Sequence, residues 1–526
     1  MATASELPID TNASALEMAN TIFGEGVSVV SATYTGDNRS SGIYTDGDAV
    51  SPGVTPADSG VMLSTGRLSS FTNRWGDPNR YSSTSTNTSG ENNEAGFNAL
   101  AGTSTYDASY IDVDVIPDGD TISLQFVFSS DEYPEYAGSI YNDIVGVWVN
   151  GQQAEMSVGD GTSSVGNLND ATNENLYVDN TGDDYNTEMD GFTVTMTLKM
   201  SVTPGEVNSI RIGIADVLDS SYDSTLLIAA ESGQSVVLAN DDEFNIAPGG
   251  TKVVDVLSND TGPGGSTLTI THINGIEVAA GDSVTLTTGQ VVSLNADGTL
   301  TVQADNDIET VNFSYTMAPG GGQPSDSAFV TLNSIPCFVS GARIETTRGL
   351  VPVEDLEVGD LVVTHDDGTQ PVRWIGQRTV SATGRLAPIR IEGNTFGTHG
   401  TLMLSPQHRI LIRDALAQFL FGEQEVLIAA KDLINDLSVR PVEGGEVTYV
   451  HVLFDQHQVI FAEGLATESF LPGPHVLSGF EEEAVEELRA LFPELDPDTG
   501  DGYPGAARKL LKSYEVDLLL RRKAVA

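Results

Sequence analysis

The sequence predicts a mainly β protein that contains several domains. Short apolar runs such as TISLQFVFSS and SIRIGIADVL alternate with polar segments rich in Gly, Ser, Thr, Asn and Asp, which is the pattern of half-buried strands joined by turns. The 526 residues suffice for about three to four domains. Composition also changes along the chain, because 17 of the 24 basic residues follow Cys337, the only cysteine. Such a change favours domains of different kinds.

Residues 1–236 are predicted to form an acidic β-sandwich. Strands such as VSVVSATYTG, DIVGVWVNG and GFTVTMTLKM are separated there by long polar loops, and this combination is typical of two packed antiparallel sheets. Residues 237–333 contain seven short strands at regular spacing, divided by Gly and Asp turns. That spacing predicts a second, immunoglobulin-like sandwich, which we interpret as a spacer.

Residues 334–478 are predicted to form a third, all-β domain. Strand patterns continue to about residue 472, with one predicted helical stretch near LIAAKDLINDL. The tail, residues 479–526, is predicted to be a short helical cap on the preceding domain, because FEEEAVEELRALF and AARKLLKSYEVDLLLRRK have helical spacing.

The formal net charge of −51 narrows the classes of partner. A chain this acidic repels nucleic acid and anionic membrane surfaces, and it suits cation binding, a high-salt habitat or solubility outside the cell. No apolar run is long enough to predict a transmembrane helix. The first residues lack a basic segment followed by an apolar one, so we expect export without an N-terminal Sec signal. A single cysteine excludes an internal disulfide framework.

Cys337 lies at the point where the composition of the chain changes, and its thiol could react with the peptide bond on its N-terminal side. A thiol that attacks the carbonyl before it converts an amide into a thioester. The nitrogen that leaves needs an acid, and the oxyanion that forms needs a hydrogen-bond donor.

Three segments carry groups of these kinds: CFVSGARIETTRG, LMLSPQHRILI and YVHVLFDQHQVIFAEGLATESF. They resemble the sequence blocks of hedgehog/intein-type (Hint) self-processing domains of bacterial secreted proteins. The resemblance implies that Cys337 attacks the Pro336–Cys337 bond, that His408 protonates the amide nitrogen and that Ser405 holds the scissile carbonyl. The same resemblance brings Asp455 and His457 near the site. Processing of this kind requires no cofactor. His451 is interpreted as a structural histidine on the surface or in the core.

The chain departs from splicing inteins at the end of this region. Inteins of that kind end in a His-Asn pair, whereas this chain reads Ala466-Thr467-Glu468-Ser469. We therefore expect single-turnover cleavage or acyl transfer to water or an external nucleophile, without splicing. Pro336 is a hindered acyl donor with a fixed φ. It leaves open a second hypothesis, an adhesion or matrix protein whose Hint-like module is catalytically silent and whose partner is a surface or glycan ligand.

The segment FVFSSDEYPEYAGSIYNDIVGVWVNG resembles the choice-of-anchor L domain of bacterial surface proteins, and DVLSNDTG and LNADGTLTV resemble cadherin-like repeats. The N-terminal region contains no histidine before residue 237, which disfavours a classical hydrolase. Calcium prefers several hard oxygen ligands. The sequence predicts a calcium site from eight residues of two segments: Asp131, Glu132, Glu135, Asn142, Asp143, Asp216, Asp219 and Asp223.

Overall fold

The computed structural model describes residues 2–81, 83–137, 139–158, 161–246, 250–305, 310–320, 324–333, 337–382, 387–435, 437–471 and 503–511, together with Val516 and Leu519. Within these ranges the chain is mainly β, as predicted, and three separate hydrophobic clusters mark three main cores. None of the helices in this part of the chain is long and apolar enough to cross a membrane.

The first sandwich contains fourteen strands and three short helices among the described residues. Its strands are β1 (Ile9–Asp10), β2 (Val27–Thr35), β3 (Ser41–Tyr44), β4 (Gly60–Ser64), β5 (Thr105–Pro117), β6 (Thr121–Ser130), β7 (Ile144–Val149), β8 (Gln152–Gln153), β9 (Ser163–Ser164), β10 (Tyr177–Asp179), β11 (Gly191–Thr193), β12 (Met196–Ser201), β13 (Asn208–Val217) and β14 (Ser224–Ala229). Its helices are α1 (Ala15–Ile22), α2 (Gly47–Val50) and α3 (Ala95–Ala101).

Two sheets face each other in this sandwich. One has the order β1-β3-β4-β14-β6-β11-β10, with β12 also paired to β6, and the other has the order β2-β5-β13-β7-β8, with β9 paired to β7. Strand β5 shows the predicted alternation, since Ile111 and Val113 are buried while Asp112 and Asp114 are not. Helix α1 begins at a capping box formed by Ser14 and Glu17.

The second sandwich contains β15 (Asp242–Asn245), β16 (Thr251–Val254), β17 (Thr269–Ile273), β18 (Ile276–Glu277), β19 (Ser283–Thr285), β20 (Val291–Leu294), β21 (Leu300–Gln303), β22 (Thr310–Ala318) and β23 (Asp326–Asn333). A five-stranded sheet, β15-β23-β22-β17-β18, packs with a four-stranded sheet, β16-β21-β20-β19. The predicted immunoglobulin-like sandwich is therefore present.

Polar contacts fix the second sandwich against the first. The fully buried carboxylate of Asp326 forms an ion pair with Lys199 and accepts a hydrogen bond from Ser123 at 2.5 Å. Asn175 donates to Thr288 at 2.9 Å and its carbonyl accepts a hydrogen bond from Asn274 at 2.6 Å. A buried, paired charge holds a specific geometry because breaking the pair is costly.

The third domain contains helix α4 (Ala415–Phe421) and the strands β24 (Phe338–Val339), β25 (Arg343–Thr346), β26 (Gly349–Pro352), β27 (Leu361–Val363), β28 (Thr369–Pro371), β29 (Trp374–Ser381), β30 (Ile389–Ile391), β31 (Leu402–Leu404), β32 (Arg409–Arg413), β33 (Glu425–Ala429), β34 (Val439–Pro441), β35 (Glu446–Leu453), β36 (Val459–Ala462), β37 (Leu465–Glu468) and β38 (Lys509–Leu510). One sheet has the order β29-β35-β24-β31-β30-β34. The other has the order β28-β27-β25-β36-β37-β32-β33-β38, with β26 paired to β25.

One helix prediction in this region is wrong, and a second is wrong in its first part. LIAAKDLINDL forms the end of β33 followed by a short 3₁₀ turn, Ala430–Leu433, because Leu427 and its neighbours pair with β32 in the sheet. Residues Lys509–Leu510, near the start of a predicted tail helix, form β38, because β33 offers them a free edge and pairs with them in parallel. Val516 and Leu519, further along the same predicted helix, are helical. The other predicted tail helix, FEEEAVEELRALF, lies outside the described residues.

Candidate functional site

The register of one sheet determines the surroundings of Cys337. Phe338 pairs with Val450 of β35 on one side and with Leu404 of β31 on the other. In antiparallel pairing the preceding residue, Cys337, therefore lies opposite His451 and Ser405. Strand β24 is in the interior of its sheet, and Cys337 is 4% exposed.

Ser405 holds the backbone of Cys337 from one side. The Cys337 N–H donates a hydrogen bond to Ser405 Oγ at 2.8 Å, and the Ser405 N–H donates to the Cys337 carbonyl at 3.0 Å. The sequence predicts a contact of Ser405 with the scissile carbonyl, but that carbonyl belongs to Pro336, outside the described residues. The contact that the structure does describe is with the amide nitrogen that would leave.

His451 approaches the thiol from the other side. Its Nε2 atom lies 3.4 Å from Cys337 Sγ, and both residues are buried. Rings of Trp374 and Phe470, with centroids 6.5 and 5.3 Å from that of His451, restrict its orientation. The sequence analysis interpreted His451 as structural. The sequence YVHVLF could have indicated its role, because side chains two residues apart in a strand share a face, and His451 therefore lies on the same face as Tyr449. Tyr449 packs with Cys337 in one small apolar cluster.

His408 lies in the turn that follows Ser405, and its N–H donates to the Ser405 carbonyl at 3.1 Å. The ring packs 4.3 Å from the ring of Phe338, and neither ring nitrogen has a hydrogen-bond partner. Burial lowers the pKa of His408 to about 4. The imidazole is therefore uncharged near neutral pH, and its protonated form gives up its proton more readily than an ordinary imidazolium does.

Glu468, which the sequence analysis did not assign to the site, is a buried anion beside His408 and His457. Its Oε1 accepts the N–H of Arg409 at 2.8 Å, and its Oε2 lies 3.6 Å from His457 Nε2. Burial by itself would raise the pKa of Glu468, but the charge of Arg409 and the contact with His457 lower it to about 2. The charges of Glu468 and His408 also influence each other.

His457 joins the C-terminal segment to this network. The Ala507 N–H donates to His457 Nδ1 at 2.9 Å, so the proton of the neutral ring is on Nε2, 3.2 Å from the Ser469 carbonyl. Arg508 holds the same segment through ion pairs with Glu425 at 2.9 Å and Asp366 at 2.8 Å. Residues 503–511 thus contribute directly to the environment of a predicted site residue.

Asp455 is not brought to the cysteine. Its carboxylate forms a bidentate pair with Arg373, at 2.6 and 2.8 Å, and both side chains are about half exposed. It follows Leu453, the last residue of β35, by two positions, where the chain has already left the sheet.

The eight predicted calcium ligands divide into two groups. Five of them are buried close to one another where several strand ends meet: Asp131, Glu132, Asp143, Asp216 and Asp223. The other three lie at the margin. Asn142 accepts the N–H of Gly166, Asp219 accepts that of Ser221, and Glu135 is exposed. In the part of the chain that the structure describes, no group of three or more His, Cys, Asp or Glu is arranged to hold a metal ion.

Acid is expected to destabilise the third domain. Ionised Glu468 makes its full contribution to the free energy of unfolding above 4.5, the pKa of this group in the unfolded chain. That contribution, about 3 kcal/mol, is lost as the pH falls towards 2, the pKa in the folded protein. Protonation of His408 adds a loss between pH 6.5 and about 4, because its folded pKa is the lower one. Hydrogen exchange of β36 and β37 amides in the full chain at pH 7, 5 and 3 measures this dependence.

Glu468→Gln provides the matched comparison. At pH 7 it should destabilise these strands by about 3 kcal/mol, since it removes the interactions of the buried Glu468 charge with the partly buried Arg409 and with His457, and the decline between pH 4.5 and 2 should disappear. An unchanged decline in the variant would show that Glu468 is not its source.

Comparison with protein families accounts for most of the chain. Residues 8–234 match the choice-of-anchor L domain, residues 234–333 a bacterial Ig domain and residues 336–474 the Hint domain. The chain combines these three domains. A choice-of-anchor domain beside a bacterial Ig domain indicates a surface or extracellular protein. Among curated proteins no match was found.

Solved structures resemble parts of the chain. The gp41-1 intein is 12% identical, with a TM-score of 0.17, and the match covers 25% of this chain and 97% of the intein. The MchDnaB-1 intein is 13% identical, with a TM-score of 0.18, and the match covers 25% of this chain and 98% of the intein. A SusE-like, surface-located polysaccharide-binding protein of Bacteroides thetaiotaomicron is 12% identical, with a TM-score of 0.13, and covers 34% of each chain.

Proposed function

We propose that the Hint domain cleaves the chain at Pro336–Cys337 by an N-to-S acyl shift, followed by hydrolysis or transfer of the acyl group. The observation that carries this proposal is the pair formed by Cys337 Sγ and His451 Nε2 at 3.4 Å. A thiol and a base within reach of each other are the signature of an activated nucleophile. The hydrogen bond from the Cys337 N–H to Ser405 supports it, because it orients the nitrogen that must leave.

The acyl shift balances with groups of the chain. Sγ of Cys337 bonds to the Pro336 carbonyl carbon and the carbon–nitrogen bond breaks. The thiol proton passes to His451, and the small protonated fraction of His408 delivers a proton to the nitrogen. The products are a thioester at Pro336 and a free amine at Cys337, and the two histidines exchange the balancing proton with solvent.

The second step depends on an acceptor from outside the domain. The stretch Ala466-Thr467-Glu468-Ser469, at the place where a splicing intein carries its His-Asn pair, contains neither residue, and Glu468 is engaged by Arg409 and His457. Water or an external nucleophile would attack the thioester, release residues 1–336 and restore the thiol. In this proposal the two sandwiches are the exported cargo of a surface or extracellular protein, and processing is a single turnover.

Mass spectrometry of the purified full chain tests the proposal. During incubation we expect two fragments, residues 1–336 and residues 337–526, and faster cleavage when dithiothreitol or hydroxylamine is added, because both attack thioesters. Full-length mass alone after prolonged incubation with either nucleophile would overturn the proposal.

A silent Hint module is the alternative, and one observation favours it. Cys337 packs in a small apolar cluster with Val339, Ala382, Val447 and Tyr449, a setting in which a cysteine is often a buried hydrophobe. In that case the protein is an adhesion or matrix protein whose third domain is structural. The mass measurement separates the two functions, because only the self-processing protein yields the fragments.

A further inference from the structure

The first sandwich contains a buried cluster of three carboxyl groups, Glu132, Asp143 and Asp216, which we call the carboxyl cluster. The three residues are between 1% and 2% exposed. Glu132 follows β6, Asp143 precedes β7, and Asp216 lies in β13 beside an irregularity in its pairing with β5. Ends and bends of three strands therefore bring together acids that are far apart in the sequence.

Asp216 is the unusual member of the carboxyl cluster. Asp143 accepts hydrogen bonds from the Val217 N–H at 3.0 Å and the Ser224 hydroxyl at 2.6 Å, and Glu132 accepts one from the Asp143 N–H at 3.2 Å. Neither carboxylate oxygen of Asp216 has a donor in hydrogen-bond geometry, although both are buried, and the Thr65 hydroxyl and the Asp143 carboxylate are its polar neighbours. Leaving a buried carboxylate unsatisfied costs several kcal/mol, so this group points to a ligand.

The charges around the carboxyl cluster are all negative. Asp143 and Asp216 adjoin, since each shifts the pKa of the other, and Asp107, Asp219 and Asp223 face them from neighbouring segments. None of the ion pairs formed by the described residues includes a member of the cluster. Burial raises the pKa of Glu132 to about 9 and that of Asp143 to about 7. At neutral pH either bound protons or a cation must therefore neutralise the cluster.

We propose that Asp143 and Asp216 bind a hard divalent cation, with calcium as the best-fitting ion. The groups that surround the pair are oxygen donors, including the Ser224, Ser130 and Thr65 hydroxyls, which are fully buried within the same hydrogen-bonded region. Oxygen-only surroundings favour calcium over zinc or copper, which prefer nitrogen and sulfur. The site uses two carboxylates and hydroxyl oxygens, and it does not depend on the Hint chemistry.

Calcium binding to the full chain tests this site directly. Isothermal titration with calcium chloride at pH 7.5, after removal of divalent ions with EGTA, should show one site that Asp216→Asn weakens. The affinity for calcium should fall by about 10- to 100-fold or more, since removal of a group that only supports a metal ligand already has an effect of that size. Asp118→Asn, an exposed acid in the loop after β5, is the control and should bind as the unmodified protein does.

Thermal unfolding in 1 mM calcium chloride and in EGTA gives a second readout. Calcium should raise the melting temperature of the unmodified protein and of Asp118→Asn, and have little effect on Asp216→Asn. If Asp216→Asn does not fold, Asp143→Asn takes its place, and titration of the unmodified chain still decides. Absence of calcium binding to the unmodified chain, or equal binding by Asp216→Asn, would overturn the proposal and favour a proton shared by Asp143 and Asp216.

Discussion

Replacing Cys337 with alanine is expected to abolish cleavage completely. The chain has one cysteine, so no other thiol can form the thioester, and uncatalysed attack of water on a peptide bond is extremely slow. The side chain is small and lies in an apolar cluster, so alanine should preserve the fold. The measurement is the intact mass of the full chain over several days, with and without hydroxylamine, beside the unmodified protein.

Two further variants make this result specific. Cys337→Ser should retain slow cleavage through an ester, because serine offers a weaker nucleophile in the same place. Arg440→Gln alters an exposed side chain that faces Glu392 across 3.6 Å, and it should cleave at the unmodified rate. Fragments of residues 1–336 and 337–526 from Cys337→Ala at the normal rate would assign the cleavage to a contaminating protease.

Replacing His451 with glutamine is expected to slow cleavage by about 10²- to 10⁴-fold, the usual contribution of a positioned general base. The physical reason is the 3.4 Å contact between Nε2 and the Cys337 thiol. Without that base, the reaction depends on thiolate formed by exchange with solvent. The rate of the variant should therefore rise steeply with pH towards the ordinary pKa of a thiol, about 8.5, and a pH profile of cleavage measures both effects.

His365→Gln is the matched control, because His365 is partly exposed and contacts Asp366 at 3.0 Å. Its rate and pH profile should equal those of the unmodified protein. A purely structural effect of His451→Gln would lower the rate equally at every pH. Equal rates for His451→Gln and the unmodified protein would remove the assigned role of His451 and leave His408 as the remaining histidine beside Cys337.

Periodicity in the sequence was sufficient for most of the fold. Alternation in segments such as TYDASYIDVDVIP predicts strands with one buried face, and β5 has that pattern. The failures occur where tertiary contacts override local preference. LIAAKDLINDL has apolar residues at helical spacing, yet pairing with β32 makes its first three residues the end of a strand. Residues 509–510 behave in the same way, because an open strand edge supplies their hydrogen-bond partners.

The candidate site divides along the same line. Sequence motifs alone identified Cys337 and the SPQHR turn with Ser405 and His408, because these residues are recognisable from their local context. They also indicated eight candidate calcium ligands in two distant segments, and five of these eight residues are buried. Only the tertiary structure selected His451 and Glu468 and turned Asp455 towards Arg373 at the surface.

The physical reason is strand register. Cys337 and His451 are 114 residues apart, and their contact exists because β24 pairs with β35 in one register. A shift of a single residue would turn the His451 ring to the opposite face of the sheet. The sequence by itself determined the kinds of strand and the three domains, and it pointed to the proposed nucleophile. Tertiary packing decided which buried polar side chains meet across the sheets, and hence which base we propose for the thiol and which carboxylates we propose as cation ligands.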